Sequence, residues 1–503
     1  MSNTFIENLT NGANMTHTTN GAKAYKSTNS KVYDMFAFGG AYRRKTDADC
    51  ILLFKEAFEE DPTLALKCLF YMRDCRGGQG ERRFFRVCFR WLVQNHPTVA
   101  LSMLPHVSEY GRWDDLIYTC LFTSLEENMA LMVKTQLVLD LSCKTPSLLG
   151  KWMPSENASS IETKKAASAM RGHMGMTHKQ YRQALSNLRS RINIVEKLMS
   201  ENRWEEIEFD KLPSKAGLIY KNAFARRDLL AKKYEKFIKD ENTKVNAKTL
   251  FPYEVIAEAK KAFGKSLNDI DRAAVEKYWN NLPDYLNGNP CKMMCVVDTS
   301  GSMTGYSADA PINVAISLGM YCAERIGGAY KNHYISFSSR PQFISITGVD
   351  FVDKVQRIYR TNLCENTNIE ATFKLLKETA LKSAPEDRPD TIVIISDMQI
   401  DSMSGGGYWN RGADTYGKRW TSDTAATEME LIRKDWEAAG LECPRLVYWN
   451  VNASNPTILD AGPNVSFVSG CSPTIFEQVL TGKSGMDLCL EKLLSERYAA
   501  IVL

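Results

Sequence analysis

Asp298, Ser300 and Ser302 alternate in Asp298-Thr299-Ser300-Gly301-Ser302, directly after the apolar run Met293-Met294-Cys295-Val296-Val297. An apolar run without turn residues predicts a buried strand, and its abrupt end predicts a tight loop carrying three oxygen side chains. Hard oxygens from Asp and Ser suit Mg²⁺ or Mn²⁺ far better than zinc. At the carboxyl end of a parallel strand they would lie where open α/β sheets bind ligands. The competing reading makes Asp298 and Ser302 caps of the following helix, with Pro311 in its first turn and Ile312, Ala315, Ile316, Leu318, Gly319 and Cys322 on its apolar face.

A second chemically loaded stretch is Tyr71-Met72-Arg73-Asp74-Cys75-Arg76-Gly77-Gly78-Gln79-Gly80-Glu81-Arg82-Arg83. Its glycines suggest a phosphate loop, but the Gly-Lys-Ser/Thr ending is missing and a helix rather than a strand precedes it. A glycine C-cap turn, with Arg73 or Arg76 paired to Asp74 or Glu81, explains the glycines without a nucleotide. Arg82, Arg86 and Arg90 then recur at spacing four, and Lys179, Arg182 and Arg189 form another basic stripe. Each stripe suits RNA phosphates or is simply a solvated helix face; Arg73 and Arg76 join them as candidate RNA contacts.

The elements that must position these residues divide the 503-residue chain. Residues 1–30, rich in Asn, Thr and Gly, are expected to be a disordered tail. From Val32 to Leu286 the periodicity is almost entirely helical: Asp61-Pro62 opens Thr63 to Met72, Glu81 to Leu92 is amphipathic, and Thr177-x-x-Gln180 is a capping box. Further helices fit Leu125 to Leu141, Pro213 to Phe224, Arg226 to Lys239, Pro252 to Phe263 and Asp269 to Tyr285. Cys143 to Thr163 reads as a loop. Helix after helix in this way suggests a stacked, HEAT-like body over 31–290, although no clean repeat period is present.

At Asn287-Gly288-Asn289-Pro290 the pattern changes to alternating strands and helices over 291–503. Strands are expected at Met293 to Val297, Tyr334 to Phe337, Gln342 to Ile346, Thr391 to Ser396, Leu446 to Asn450 and Ser466 to Val468, giving a mostly parallel, doubly wound, Rossmann-like sheet. A glycine-rich insertion over 401–424 carries Tyr408, Trp409, Tyr416 and Trp420, either as a lip over the site or as packing onto the body.

The net charge is +4, unevenly placed: residues 1–290 hold 43 Lys and Arg against 34 Asp and Glu, and residues 291–503 hold 20 against 25. Different partners are implied for the two halves. The 13 cysteines are odd in number and sit inside apolar runs, which points to reduced thiols in the cytoplasm or nucleus; Cys291 and Cys295 are poorly spaced for zinc. No apolar run reaches membrane-spanning length, and Met1 to Ser30 lacks the pattern of a secretory signal.

The Asp298-x-Ser300-x-Ser302 motif resembles the metal-ion-dependent adhesion site of von Willebrand factor A domains. That resemblance implies two further ligands: Thr367, in Glu365-Asn366-Thr367-Asn368, and Asp397, ending the run Thr391 to Ser396. Thr367 lacks a preceding glycine pair, and Met398 rather than Gly follows Asp397. A helix cap does not account for a second buried strand ending in Asp. The stretches Arg73 to Arg82, Tyr110-Gly111-Arg112-Trp113-Asp114-Asp115-Leu116, Leu149-Gly150-Lys151-Trp152-Met153-Pro154-Ser155 and Leu250-Phe251-Pro252, with both Asp motifs, resemble the eukaryotic and viral family catalogued as domain of unknown function 2828, from about Val32 onward. In architecture, a helical body leading into an A domain is similar to the Ro autoantigen, or TROVE, class, which binds small structured and misfolded RNAs.

These readings together imply a non-enzymatic, Ro-like ribonucleoprotein adaptor: an RNA-binding helical body, and a Mg²⁺ (or Mn²⁺) site of Asp298, Ser300, Ser302, Thr367 and Asp397 that accepts an Asp or Glu from a protein partner. The alternative is a metal-dependent protein scaffold without nucleic acid. A hydrolase ranks last, because none of His17, His96, His106, His173, His178 and His333 lies in a metal motif.

Overall fold

In the computed structural model, residues 12–192, 195–261, 263, 267–337, 340–361, 368–400, 427–453, 456–460 and 462–503 are described. They form two compact units. One comprises residues up to 46, 59–61 and 250–495; the other comprises 47–58, 62–249 and 496–503. No helix among the described residues is long and apolar enough to cross a membrane.

The first unit is α/β. A short antiparallel hairpin pairs β1 (Met15–His17) with β2 (Lys23–Tyr25). The main sheet contains β3 (Met293–Asp298), β4 (His333–Phe337), β5 (Gln342–Ser345), β6 (Thr391–Ser396), β7 (Arg445–Asn450) and β8 (Val465–Ser469). Its order is β5-β4-β3-β6-β7-β8, with every neighbouring pair parallel except β4 and β5. All six main-sheet strands fall where the apolar runs predict. β3, β6, β7 and the terminal β8 are buried along almost their whole length, as both-face coverage requires. The edge strand β5 alternates and exposes Phe343.

Side chains close the helix starts around this sheet. Asn368 accepts the Ala371 N–H ahead of helix Ile369–Leu381, and Thr427 with Glu430 forms a capping box ahead of Glu428–Ala438. Helix Pro311–Arg325 lies directly on β3. A Cβ added at its Gly319 would stand 2.4 Å from Val297 Cγ2, so glycine permits this close approach.

The second unit is helical. Pro62–Arg73, Arg82–Asn95, Pro97–Tyr110 and Trp113–Cys120 pack on one another, and the chain continues through Glu126–Ser142, Ile161–Met174, His178–Arg191, Ser214–Ala225 and Asp228–Lys239. The Thr177 and Gln180 capping box is present. Phe70, Phe85, Phe89 and Tyr110 form its aromatic core, with Phe85 stacked on Phe89 at 5.2 Å.

Two expectations need correction. Within the tail expected over 1–30, residues 12–30 are structured: Ala22, Ala24 and Tyr25 are buried, and the polar residues that suggested disorder supply hydrogen bonds; residues 1–11 lie outside the described residues. The division at 290/291 also shifts. Residues 250–290 and the segment up to 46 belong to the α/β unit, while 496–503 belong to the helical unit, where Lys67 Nζ donates to the Tyr498 carbonyl at 2.8 Å and Tyr110 stacks on Tyr498. The insertion at 401–424, with Tyr408, Trp409, Tyr416 and Trp420, lies outside the described residues.

Gly319→Ala is expected to destabilise the protein by about 1–3 kcal/mol through overpacking. The loss should be smaller in a Val297→Ala background, as a double-mutant cycle by urea denaturation would read.

Candidate metal centre

β3 and β6 run parallel with Val297 opposite Ile395. One residue further on, Asp298 meets Ser396, and Asp397 follows. Both carboxylates are buried, Asp298 completely and Asp397 to within 1%. Such burial is costly unless hydrogen bonds or a counter-charge satisfy the oxygens. Ser396 Oγ donates to Asp298 Oδ2 at 2.5 Å, and the Ser300 N–H donates to Asp298 Oδ1 at 2.9 Å. On the other side, Ser302 Oγ donates to Asp397 Oδ1 at 3.4 Å and the Gln399 N–H donates to the same oxygen at 3.2 Å. Ser300 Oγ lies 3.1 Å from Ser302 Oγ.

Asp298, Ser300, Ser302 and Asp397 therefore converge, as the resemblance implies. Thr367 lies outside the described residues. Met398 takes a left-handed backbone conformation with φ 61°, which turns the chain sharply after Asp397; its N–H is held by Ser396 Oγ at 2.9 Å. The helix-cap alternative fails: Ala310 precedes Pro311–Arg325 with no side-chain cap, and the short Gly301–Met303 turn has none either.

Electrostatically the pair is strained. Burial, and after it the negative charge of Asp298, push Asp397 up to about 7. Among the described residues no Lys, Arg or His pairs with Asp397. No group of three His, Cys, Asp or Glu side chains suited to a metal occurs among those residues, so any cation here would rest on two carboxylates assisted by hydroxyls. That donor set fits a hard divalent cation, which would supply the missing counter-charge. Ser396 and Gln399 were not among the sequence candidates; the visible signal was a serine inside the end of a buried strand.

The basic candidates are placed less uniformly. Arg73 is buried and pairs with Asp115 through Nε at 2.8 Å and Nη2 at 2.6 Å. Arg86 pairs with Asp115 at 2.6 Å and Asp114 at 2.7 Å. Arg112 completes this cluster on Asp114 and lies over the Trp152 ring at 3.8 Å. Arg90 donates to the carbonyls of Tyr118 and Leu121, and Arg189 to those of Gly150 and Met153. The supposed stripe Arg82, Arg86, Arg90 is thus largely turned inward; Arg76, Arg82, Lys179 and Arg182 are exposed.

Asp74 does not pair with Arg73 or Arg76 as expected. It receives a bidentate pair from the Nε and Nη2 edge of the Arg497 guanidinium, and the Tyr498 hydroxyl. The Arg76 N–H also donates to it, at 2.9 Å. Gly78 is required for closeness, since a Cβ there would lie 2.1 Å from the Tyr71 carbonyl oxygen. Asp114 and Asp115 escaped notice as the partners of these arginines because their role depends on helices meeting in space.

An α/β unit with an oxygen-rich site at adjacent strand ends, together with a helical unit tied by buried ion pairs, defines the class of protein. Residues 18–147 and 147–289 match the domain of unknown function DUF2828, and residues 292–496 match the domain of unknown function DUF7788. The chain belongs to the DUF2828 family. The DUF2828 match begins at 18, earlier than the resemblance implies, and the region holding Asp298 and Asp397 falls to the second model. The uncharacterized protein L728 of Acanthamoeba polyphaga mimivirus is 29% identical over 486 residues, covering 88% of this chain and 80% of the viral protein.

Burial raises the pKa of Asp74, but the hydrogen bonds and charge of Arg497, with N–H groups of Arg76 and Gly77, outweigh it and hold the carboxyl below its ordinary range. A depressed carboxylate contributes stability above its unfolded value, near pH 4, and loses it as pH falls through the folded value. Asp74→Asn should therefore cost about 3 kcal/mol at neutral pH. Its urea midpoint should also drop less than that of the native protein on acidification below pH 4.

Proposed function

We propose that the α/β unit is a divalent-cation-dependent binding module of von Willebrand factor A type, within a non-enzymatic adaptor protein. The observation that carries this reading is the convergence of Asp298, Ser300, Ser302 and Asp397, with Asp397 lacking a cationic side-chain partner among the described residues. Strand order adds support. The winding reverses between β3 and β6, and the crevice beyond such strand ends is where open sheets bind ligands.

Asp298 and Asp397 would hold Mg²⁺ or Mn²⁺ with the hydroxyls of Ser300 and Ser302, and Thr367 joins them by resemblance. Bound there, the cation would offer a coordination position to an Asp or Glu of a protein partner. Ser396 keeps Asp298 oriented, and the fully exposed Tyr306, on the loop leaving Ser302, gives a partner an aromatic contact beside the site.

For the helical unit the reading is a HEAT-like body. Inward engagement of Arg73, Arg86, Arg90 and Arg189 favours a protein-binding scaffold over RNA. The Ro-like reading, with small structured or misfolded RNA as partner, rests on exposed Arg76, Arg82, Lys179 and Arg182. Cytoplasmic or nuclear residence rests on the twelve described cysteines, none of which is in a disulfide.

Thermal unfolding of the full chain tests the module. Mg²⁺ should stabilise the EDTA-treated protein, by about 2.7 kcal/mol at a hundred times its Kd. Ser300→Ala/Ser302→Ala and Asp397→Asn should abolish the gain; a native protein indifferent to Mg²⁺ would contradict the reading. For RNA, a labelled structured RNA should bind with affinity that falls steeply between about 50 and about 200 mM salt. Arg82→Glu/Lys179→Glu/Arg182→Glu should remove that binding, whereas no binding by the native chain leaves the protein scaffold.

A further inference from the structure

The hairpin β1–β2 grips the chain immediately beyond Asp397. Its tip, Thr18 to Ala22, closes on itself: the Thr18 N–H donates to the Ala22 carbonyl at 2.8 Å, and the Ala22 N–H donates to Thr18 Oγ1 at 3.0 Å. Gly21, with φ 91°, lets the turn close. The same Thr18 hydroxyl donates to the Ile400 carbonyl at 2.7 Å. The Thr19 N–H donates to Gln399 Oε1 at 2.9 Å, and Asn20 Nδ2 donates to the Gln399 carbonyl at 2.7 Å. Three bonds from three successive residues thus hold two.

The base of the hairpin is fixed independently. Tyr25 exchanges backbone hydrogen bonds with Ile458 at 2.7 and 2.9 Å, and its hydroxyl donates to Glu430. The tip is therefore braced against the body of the α/β unit. The gripped residue, Gln399, is buried and donates its N–H to Asp397 Oδ1. Between them stands the left-handed Met398. An L-residue in that conformation persists only where surrounding structure enforces it.

We infer that the amino-terminal hairpin, through Thr18, Thr19 and Asn20 acting on Gln399, is a positioning element that aims the Asp397 carboxylate for cation binding. The inference rests on the cation reading proposed above. Groups that orient a ligand through a hydrogen bond typically change metal affinity 10- to 100-fold when removed. Thr18, Thr19 and Asn20 do not touch the site itself, so they are positioning residues only.

The test is Mn²⁺ titration of the full-length protein followed by electron paramagnetic resonance, beside thermal unfolding in EDTA. Thr18→Val/Asn20→Ala should weaken Mn²⁺ binding about tenfold or more while leaving one site per chain, and Thr18→Ser, which keeps the hydroxyl, should bind like the native chain. Asn20→Ala alone, at an exposed tip, removes one bond and serves if the double variant does not fold; it should weaken binding severalfold with little change of Tm in EDTA. Equal Mn²⁺ affinity in the native protein and the Asn20→Ala and double variants would overturn the positioning role while the cation site stood. A native protein that binds no Mn²⁺ would instead overturn the cation reading, and the hairpin's role with it.

Discussion

The constraint on which the α/β unit depends is the burial of two carboxylates, Asp298 and Asp397, at the ends of adjacent parallel strands. Taking two like charges out of water together is unfavourable, and the rise of Asp397 toward neutrality expresses that cost. Much of the surrounding structure serves to hold the pair regardless. The β3–β6 register sets their separation, Ser396 and the Ser300 N–H satisfy Asp298, and Gly319 lets the next helix press against the strand that carries it. The cation proposed for this site would supply the counter-charge that the pair lacks.

In the helical unit, the charged residues that carry the family resemblance chiefly join helices to one another. Arg73, Arg86 and Arg112 converge on Asp114 and Asp115, while Arg497 and Tyr498 close on Asp74. Breaking a buried pair strands a charge, so these clusters specify which helices meet even where their net contribution to stability is small. The glycines around them have the same purpose: at Gly78 and Gly111 a side chain would collide with the Tyr71 carbonyl or the Asp115 carboxylate.

Strands were legible because apolar runs bounded by turn residues permit few alternatives, and every run from Met293 to Val468 became a strand. The pairing of Asp298 with Asp397 was legible through motif order. What the sequence hid was partnership across long separations. A segment rich in Asn, Thr and Gly gives no hydrophobic signal, yet Thr18 and Asn20 find partners near residue 400. Arg86 and Arg90 looked like one solvated stripe because spacing of four places them on one helix face; it does not say whether Asp115 or water covers that face.

The most direct measurement is anomalous diffraction from crystals of the full chain grown with Mn²⁺. The account predicts one anomalous peak bounded by oxygens of Asp298, Ser300, Ser302 and Asp397, displaced when Mg²⁺ is supplied in excess. A well-ordered site with no peak there, and the two carboxylates bonded to each other through a shared proton, would contradict it.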